Sequence, residues 1–388
     1  MPDAVLALNA GSSSIKFGLY EIGEHGLIAR GEIEGIGTAP HFVARDAQGT
    51  IIGERRWSDA SVDHEALLGG LLEWADAHLG QDTLVAVGHR VVHGGRDFTG
   101  PVRLDDKVLE ALALLTPLAP LHQPHSLSPV RAIMAVRPGL PQVACFDTSF
   151  HHTLPAVATR FALPRAYAAE GVRRYGFHGL SYEYIAGALR QTAPQLAAGR
   201  VIVAHLGNGA SLCAMRDGIS IDTTMGFTAL DGLMMGTRCG TIDPGVILYM
   251  LQQKKLAASE IETLLYQRSG LLGVSGISSD MRVLLESSAV EAREAVELFV
   301  FRIARETAAL AGSLGGLDGF VFTAGIGEHA AEIRTAVCQR LAWLGVAIDP
   351  AANSSHADRI SPAGSRVEVR VIPTDEEAMI VRHTLETI

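Results

Sequence analysis

The sequence predicts an α/β fold with a duplicated core, in two domains around a central cleft. Strands alternate with helices along the 388 residues, and one strand–turn–strand pattern occurs twice, about half a chain apart. The first copy runs from Val5–Leu8 through small residues to Ile15–Gly18, and the second runs from Val201–Ala204 through His205–Ser211. Backbone N–H groups and hydroxyls in such turns can cradle an anion. The pair therefore predicts a polyphosphate held from both halves.

Hydrophobic periodicity and turn residues define the individual elements. Residues 1–60 are predicted to be β-rich, because glycines interrupt short alternating runs. Helices are predicted at Asp63–Leu79, Asp105–Leu115, Ser126–Val136, Val290–Leu314, Ala330–Leu344 and Glu376–Leu385, and strands at Leu84–Val87, Gln142–Phe146, Gly319–Thr323 and Val367–Ile372. The expected domains are 1–147 with 377–388, carrying the first hairpin, and 148–376, carrying the second hairpin and the nucleotide.

Composition limits the class of protein. A net charge of −10 argues against nucleic acid as a partner, and 48% hydrophobic residues supply a core for each domain. The four cysteines lack paired spacing, which predicts reduced thiols rather than disulfides or zinc ligands. The most apolar window, Val108–Leu121, is broken by prolines and too short to span a bilayer. We therefore expect a soluble, cytoplasmic enzyme with no membrane partner.

Common nucleotide-binding motifs are absent or out of place. The sequence has no G-x-x-x-x-G-K-[ST] segment and no H-R-D or D-F-G set, which excludes P-loop enzymes and protein kinases. Gly325–Ala330 fits G-x-G-x-x-A after a strand, as in NAD-binding domains, with Asp349 further on. Such a domain usually begins with this unit, whereas only 39 residues follow Asp349. NAD binding is thus the weaker interpretation. Glycine turns at a helix start suit phosphate whether the ligand is NAD or another nucleotide.

Local sequence points to one metal ligand and one active-site carboxylate. Thr374 and Glu377 fit a capping box after Pro373, which would occupy Glu377 and leave Glu376 free for a divalent metal ion. The alternative is that both acids only stabilise the helix dipole. Asp147 ends a predicted strand, where ligand sites of α/β folds lie.

Eight ordered motifs resemble those of the acetate kinase family. They run from Asn9 to Ile380 and read N-A-G-S-S-S-I-K-F, H-R-V-V-H-G-G, F-D-T-S-F-H, R-Y-G-F-H-G-L-S, H-L-G-N-G-A-S, M-G-T-R-C-G-T-I-D-P, T-A-G-I-G-E and P-T-D-E-E-A-M-I. The resemblance implies the actin-like, ribonuclease H-like ATPase fold shared by sugar kinases, actin and chaperone ATPases. It also implies reversible Mg²⁺-dependent phosphoryl transfer from ATP to acetate, giving acetyl phosphate and ADP, in a homodimer. Mn²⁺ would be the substitute metal.

The resemblance assigns catalytic roles that suit a reaction between anions. Arg90 would hold the substrate carboxylate and Arg238 the transferring phosphoryl group, because planar guanidinium forks fit both. His178 would stabilise the transition state, and Asp147 would orient the arginines or accept a proton. Acetate is already ionised at pH 7, with a pKa near ~4, which favours the orienting role. Structural alternatives are a buried ion pair for Arg90, a loop brace for Arg238 and ordinary hydrogen bonding for His178.

The same motifs assign binding residues. The substrate pocket would be formed by Val92, His122, Phe177 and Ala229, with Val92 as the valine that narrows the pocket for acetate. Asn9 would join Glu376 at the metal ion. The ATP site would comprise Ser12, Lys16, His205, Leu206, Gly207, Asn208, Gly209, Asp280, Met281, Arg282, Gly325, Ile326, Gly327, Glu328 and His329. Asp280 and Arg282 fit equally well as a helix start with solvated charges.

Several residues depart from the family pattern. His329 replaces an asparagine after G-I-G-E, and Cys239 and Thr241 replace a serine and an aspartate beside Arg238. Ala229 replaces a proline, so the alkyl pocket is expected to be wider and propionate to be used well. The alternatives are thus a propionate or butyrate kinase and, from another class, a nucleotide-gated binding protein of the actin or chaperone type. A carboxylate clamp argues against the latter, because a binder needs none.

Overall fold

The protein is built from two β-sheets with helices packed on them. The computed structural model describes residues 3–11, 14–23, 26–57, 62–80, 83–120 and 122–388. The chain divides into two compact units, Met1–Phe150 with Asp375–Ile388, and His151–Thr374. The sequence placed the limits at 147 and 376, so Glu376 lies in the first unit rather than at the end of the second.

The first unit contains an eight-stranded sheet and the second a five-stranded sheet. The strands are β1 (Ala4–Ala10), β2 (Ser14–Glu21), β3 (Leu27–Glu34), β4 (His41–Asp46), β5 (Ile51–Arg56), β6 (Leu84–Val91), β7 (Val102–Arg103), β8 (Gln142–Phe146), β9 (Arg200–Leu206), β10 (Ala210–Arg216), β11 (Ile219–Thr223), β12 (Gly319–Thr323) and β13 (Glu368–Val371). Their spatial orders are β5-β4-β3-β2-β1-β6-β8-β7 and β11-β10-β9-β12-β13.

The helices lie mostly in the second unit. They are α1 (His64–Leu79), α2 (Asp106–Ala113), α3 (Gln123–Val136), α4 (Ala156–Thr159), α5 (Arg165–Ala169), α6 (Gly179–Thr192), α7 (Pro194–Ala197), α8 (Pro244–Gln252), α9 (Ala258–Gln267), α10 (Gly270–Ser275), α11 (Met281–Glu286), α12 (Val290–Leu314), α13 (Ala324–His329), α14 (Ala331–Arg340), α15 (Pro350–Ser354) and α16 (Glu376–Thr387). Short 3₁₀ turns occupy Thr116–Leu118, Ser149–His151 and Ala342–Leu344.

Both sheets contain the same core arrangement. Three antiparallel strands, β3-β2-β1 and β11-β10-β9, continue into two parallel neighbours, β6-β8 and β12-β13. The predicted duplication is therefore confirmed, with the two hairpins formed by β1–β2 and β9–β10. Because the carboxyl ends of parallel strands meet at one edge, residues that follow β1, β6 and β8 come together.

Helix α16 packs on the first sheet and carries its N-terminus to that edge. It lies against β1, β6 and β8. Its Ile380 and Thr384 sit so close to β6 that a side chain at Gly88 would clash with both. The close approach requires glycine there, and it fixes the position of Glu376 at the first turn of the helix.

Most predicted elements are confirmed, and strand β6 is longer than predicted. Helix α12 and strands β8 and β12 have the predicted bounds. The prediction ended β6 at Val87, whereas the strand continues to Val91 because it pairs with β8 as far as Phe146. The polar residues after Val87 concealed this strand. One of them, His89, is buried and bonds through Nε2 to Gln142 Oε1 at 2.7 Å.

Two further observations concern the helices and the cysteines. Among the helices of the described residues, none is both long enough and apolar enough to cross a bilayer. The cysteines are free thiols, and three of them, Cys145, Cys213 and Cys338, are buried.

Candidate active site

An arginine–aspartate pair lies at the edge of the first sheet. Arg90 is near the end of β6 and Asp147 directly follows β8. Arg90 Nε donates to Asp147 Oδ1 at 2.9 Å, and Nη2 donates to Oδ2 at 2.6 Å. The aspartate is 1% exposed. Both carboxylate oxygens thus bind one side of the guanidinium, which fixes its plane.

The arginine is linked onward to the predicted metal ligands. Arg90 Nη1 donates to Asn9 Oδ1 at 3.0 Å, and Asn9 Nδ2 donates to Glu376 Oε2 at 3.4 Å. Lys16 is exposed on β2 directly opposite Asn9 in the hairpin. Four strands and one helix start therefore bring together five residues that the sequence selected separately. Ser12, also predicted at this hairpin, lies outside the described residues.

Electrostatics in this cluster favour a bound cation. Burial raises the pKa of Glu376 to about 7; Arg90 opposes this shift, and Asp147 and Glu377 add to it. Burial also raises the pKa of Glu377. Although burial lowers the pKa of Arg90, the charge and hydrogen bonds of Asp147 raise it above the usual value. A carboxyl group that is costly to ionise here would gain from a metal ion beside it.

The donor set suits a partly hydrated hard ion. In the described part of the chain, no three His, Cys, Asp or Glu side chains form a group that could hold a metal on their own. One carboxylate from Glu376 with an amide at Asn9 fits Mg²⁺, which usually keeps several waters and shares phosphate oxygens. The residues present therefore fit such an ion.

The predicted capping box at α16 is wrong. Asp375, not Thr374, caps the helix, accepting from Ala378 N–H at 2.8 Å. Thr374 N–H instead donates to Glu328 Oε1. Asp375 also accepts a hydrogen bond from Tyr20 on β2, at 3.2 Å. Asp375 thus occupies the cap position, and the helix begins one residue later than the box requires.

In the second unit, the side chains of Arg238 and His178 converge on the turn of the β9–β10 hairpin. A Cβ atom built on Gly209 would lie 2.7 Å from Arg238 Nη2 and 3.2 Å from His178 Nε2. Arg238 Nη1 donates to the carbonyl of Ala229 at 2.6 Å. The absent side chain at Gly209 leaves Arg238 and His178 facing the same space, an arrangement suited to a phosphoryl group.

His178 is held in a defined orientation. It has a left-handed backbone, φ 59°, and immediately precedes α6. Its Nδ1 is 2.8 Å from Ser211 Oγ, and its ring stacks on His205 with centroids 4.1 Å apart. The preceding residue, Phe177, is 1% exposed, and its carbonyl accepts from His151 Nε2 at 3.0 Å. Packing on both sides therefore aims Nε2 at the hairpin turn.

A cavity of about 770 Å³ borders the same hairpin turn. This volume is within the usual range for a bound organic ligand. Its lining is formed by Gly207, Asn208, Ser279, Asp280, Met281, Arg282, Leu285, Glu286, Gly325, Ile326, His329, Ala330 and Glu332. Eight of the predicted ATP residues are among them: Gly207, Asn208, Asp280, Met281, Arg282, Gly325, Ile326 and His329. The lining does not include His205, Leu206, Gly209, Gly327 or Glu328.

The charged pair at the mouth of this cavity has a structural role as well. Asp280 caps α11 and accepts from Arg282 N–H at 2.9 Å. The Arg282 side chain, 86% exposed, forks back onto the same carboxylate. Hydrogen bonds from Arg282 lower the pKa of Asp280. The helix-start alternative is therefore correct, and it coexists with a place in the cavity wall.

Sequence reasoning missed part of the cavity and its support. Leu285 lies four residues after Met281 on α11, a helical spacing that could have indicated it. Arg334 was also missed; it is fully buried on α14 and donates to the carbonyls of Gly327 and Glu328 at 2.9 and 2.7 Å. Arg334 therefore fixes the end of α13, whose start lines the cavity.

Two further predicted residues, Val92 and His122, lie beside elements of the first unit. Val92 follows β6 and is 5% exposed, and His122 precedes α3. Gln123, next to His122, bonds to the N–H and carbonyl of His93. Among the departures, the Thr241 hydroxyl donates to Asp231 Oδ1 at 2.8 Å. The Asp231 carboxylate, ten residues earlier in the chain, therefore lies beside Thr241.

Fold and clusters define a phosphotransferase with a duplicated actin-like core. A sequence model described as "Acetokinase family" matches residues 4–382. An acetate kinase of Rhodopseudomonas palustris is 56% identical over 99% of this chain and 98% of its own length, and one of Rhizobium meliloti is 50% identical over 100% and 98%. The chain belongs to the acetokinase family.

Solved structures agree with this membership. A propionate kinase from Francisella tularensis superposes with a TM-score of 0.92 at 37% identity, covering 100% of both chains. Porphyromonas gingivalis acetate kinase superposes with a TM-score of 0.87 at 36% identity, with 99% of both chains covered. The predicted actin-like, ribonuclease H-like fold class is confirmed.

Proposed function

We propose that this enzyme transfers the γ-phosphoryl group of ATP to acetate, reversibly, giving ADP and acetyl phosphate with Mg²⁺ as the metal ion. The relatives named acetate kinase, which align along nearly the whole chain, support this substrate. The two clusters supply the groups that such a reaction needs, since it is catalysed mainly by positioning and by charge stabilisation.

The observation that carries the proposal is the state of Arg90. A guanidinium has five N–H donors. Among the described residues, Asp147 accepts one hydrogen bond from Nε and one from Nη2, and Asn9 accepts one from Nη1. One N–H on each terminal nitrogen is left, which is what a small carboxylate requires for two hydrogen bonds. Asp147 already holds the guanidinium with both oxygens, which supports an orienting role rather than proton transfer.

The phosphoryl group would be stabilised in the second unit. Arg238 and His178 both reach the Gly209 turn, where they would donate to oxygens that gain charge in the transition state. The adenosine part would occupy the cavity bordered by α11 and α13. Mg²⁺, bound through Glu376 and Asn9, would supply charge neutralisation for the phosphate oxygens.

Acyl phosphate trapped as its hydroxamate tests the proposal. We expect hydroxamate from ATP and acetate with Mg²⁺, and none when EDTA replaces the metal ion. Arg90→Ala should abolish the signal, while Arg359→Ala, a surface arginine paired with Glu368, should retain it. ATP binding without any acyl phosphate would instead favour the binding-protein alternative.

Propionate is a second candidate substrate, favoured by Ala229. The family proline at this position is absent, and a structural relative is a propionate kinase. One methylene in an apolar pocket changes kcat/KM by about 10- to 200-fold, so a single wall residue can alter the ranking. We expect acetate to remain the better substrate, because Val92 directly follows the strand that bears Arg90.

We also infer a cytoplasmic homodimer. Helix α8 has no buried residue. Four of its residues are nevertheless large and apolar, with 36–51% of their surface exposed: Val246, Leu248, Tyr249 and Leu251. An apolar surface of this kind fits a second copy of the chain. Light scattering of Leu248→Asp should show monomers where the parent shows dimers. The cytoplasm supplies ATP and keeps thiols such as Cys145 reduced.

A further inference from the structure

Ser211 links His178 to a buried tyrosine. Its Oγ is 2.8 Å from His178 Nδ1 and 2.5 Å from Tyr182 Oη. Ser211 and Tyr182 are 0% exposed, and His178 is 9% exposed. The three groups form a short hydrogen-bonded chain that ends, through the imidazole ring, at Nε2 beside the Gly209 turn.

The hydrogens of this chain can run in one of two directions. A serine hydroxyl has one proton to donate. Burial raises the pKa of Tyr182 well above its usual value, so the phenol keeps its proton and can donate it to Ser211 Oγ. In that direction Ser211 donates to His178 Nδ1, and a neutral His178 ring carries its proton on Nε2. The opposite direction would have Nδ1–H donating to Ser211 and Ser211 donating to Tyr182.

His151 provides a matched case in which the direction is certain. Its Nδ1 is 2.8 Å from Ser220 Oγ, and its Nε2 is 3.0 Å from the carbonyl of Phe177. Burial lowers the pKa of His151 to about 4, so the ring is neutral at pH 7. Because a carbonyl only accepts, Nε2 must carry the proton and Nδ1 must accept from Ser220. His205 repeats the pairing, with Nδ1 2.9 Å from Ser181 Oγ.

A neutral donor suits the surroundings of His178. Its Nε2 and Arg238 Nη2 approach the same point above Gly209. The ring also stacks on His205 at 4.1 Å, where two imidazolium charges would repel each other. A neutral ring with its proton on Nε2 adds a hydrogen-bond donor for a phosphoryl oxygen without adding positive charge.

We propose that Ser211 and Tyr182 are positioning residues that hold His178 as the neutral Nε2–H tautomer. They fix which ring nitrogen faces the transferring phosphoryl group. The catalytic consequence rests on the proposed function, whereas the tautomer itself does not.

Nitrogen-15 NMR of histidine-labelled protein at pH 7.5 tests the tautomer directly. The His178 signals are assigned by their loss in His178→Gln. We expect the chemical shifts of an unprotonated Nδ1 and a protonated Nε2. A protonated Nδ1, alone or together with Nε2, overturns the proposal. The result does not depend on activity, so it holds even if the parent makes no acetyl phosphate, an outcome that would refute the proposed function instead.

Variants separate positioning from simple structural support. Ser211→Ala should give mixed His178 tautomers and reduce kcat about 10- to 100-fold, as loss of an orienting partner commonly does, with ADP affinity within about threefold. Ser211→Thr, which keeps the hydroxyl, should retain both the single His178 tautomer and the kcat of the parent. Tyr182→Phe should also give mixed tautomers. The control Ser220→Ala removes an equivalent hydroxyl at His151 and should leave the His178 signals unchanged. A single Nε2–H form in Ser211→Ala contradicts the proposal.

Discussion

The two units have one core arrangement and different chemistry at its equivalent edge. In the first, hairpin β1–β2 and its parallel neighbours carry ionised groups, with Arg90 forked onto Asp147. In the second, hairpin β9–β10 meets imidazoles and hydroxyls, with Arg238 as the cation at the turn. Duplication therefore preserved the scaffold while the side chains diverged. A charged cluster suits a carboxylate and a metal ion, and a backbone turn with neutral donors suits phosphate.

The difference also concerns stability. Each buried ion in the first unit is stabilised by its partner of opposite charge, because an unpaired charge away from water lowers the stability of the fold. The second cluster is held by hydrogen bonds of modest individual value. Loss of a side chain should therefore affect folding in the first unit and mainly catalysis in the second.

Replacement of Arg90 should have the largest effect. Arg90→Ala removes the carboxylate clamp and leaves Asp147 unpaired, so we expect kcat/KM for acetate to fall about 10²–10⁵-fold and the free energy of unfolding to fall by about 3–5 kcal/mol. Steady-state kinetics and urea unfolding measure both. Arg200→Ala breaks a similar fork with Asp318 at an exposed site and should cost far less. Retention of activity within tenfold would remove Arg90 from the mechanism.

Replacement of Arg238 should reduce turnover without comparable unfolding. We expect Arg238→Ala to lower kcat about 10²–10³-fold, because one donor to the developing charge is lost. The hydrogen bond that its guanidinium donates to the Ala229 carbonyl is worth about 1.5–3 kcal/mol, below the cost of leaving a buried charge unpaired. The same two measurements apply. A loss of stability as large as that of Arg90→Ala would contradict the contrast between the units.

Glu376 should make metal activation depend on pH. With its pKa raised to about 7, the carboxyl group is increasingly protonated below pH 7, and the proton competes with Mg²⁺. The half-saturating Mg²⁺ concentration should therefore rise as pH falls, by up to about tenfold per unit, and level off above pH 8.

Glu376→Gln sharpens this test. It should raise the half-saturating Mg²⁺ concentration at least about tenfold and remove most of its pH dependence. The control Glu386→Gln changes an exposed acid of the same helix, paired with Arg382, and should behave like the parent. A pH-independent requirement in the parent would exclude Glu376 as the ligand.

Replacement of Ala229 should have the smallest effect, visible only in the ratio of kcat/KM for propionate to kcat/KM for acetate. Ala229→Pro keeps the carbonyl that Arg238 binds and adds ring atoms to the wall. We expect it to lower kcat/KM for propionate several-fold more than for acetate, within the range of one methylene. An unchanged ratio of the two substrates would mean that Ala229 does not line the pocket.

Sequence predicted the scaffold well where periodicity was strong. Helix α12 and strand β8 have long or continuous apolar patterns, and their bounds are correct. Strand β6 was shortened at Val87 because buried strands can carry polar residues when these are bonded, as His89 is. The cap of α16 was misplaced by one residue: Asp375 occupies it and also bonds to Tyr20, 355 residues away.

Site residues were predictable by type and motif, but their partners were not. Arg90, Asp147 and Glu376 were each selected from sequence, whereas their chain through Asn9 depends on strand register. Tyr182 is 29 residues from Ser211, and only the packing of α6 on the second sheet reveals its bond to that serine. Relations of this kind arise from packing, which no local pattern encodes.

Isothermal titration with ADP, without metal ion, most directly tests the division of labour between the units. The test variant is Gly325→Val: a Cβ at Gly325 meets no protein atom within 4 Å, so the fold should tolerate it, but the side chain would enter the cavity. Gly312→Val, also open and on α12, is the matched control. We predict that Gly325→Val weakens ADP at least about tenfold, while Gly312→Val and Arg90→Ala stay within about threefold of the parent. Weak ADP binding by Arg90→Ala, with normal binding by Gly325→Val, would contradict the assignment of the nucleotide to the second unit.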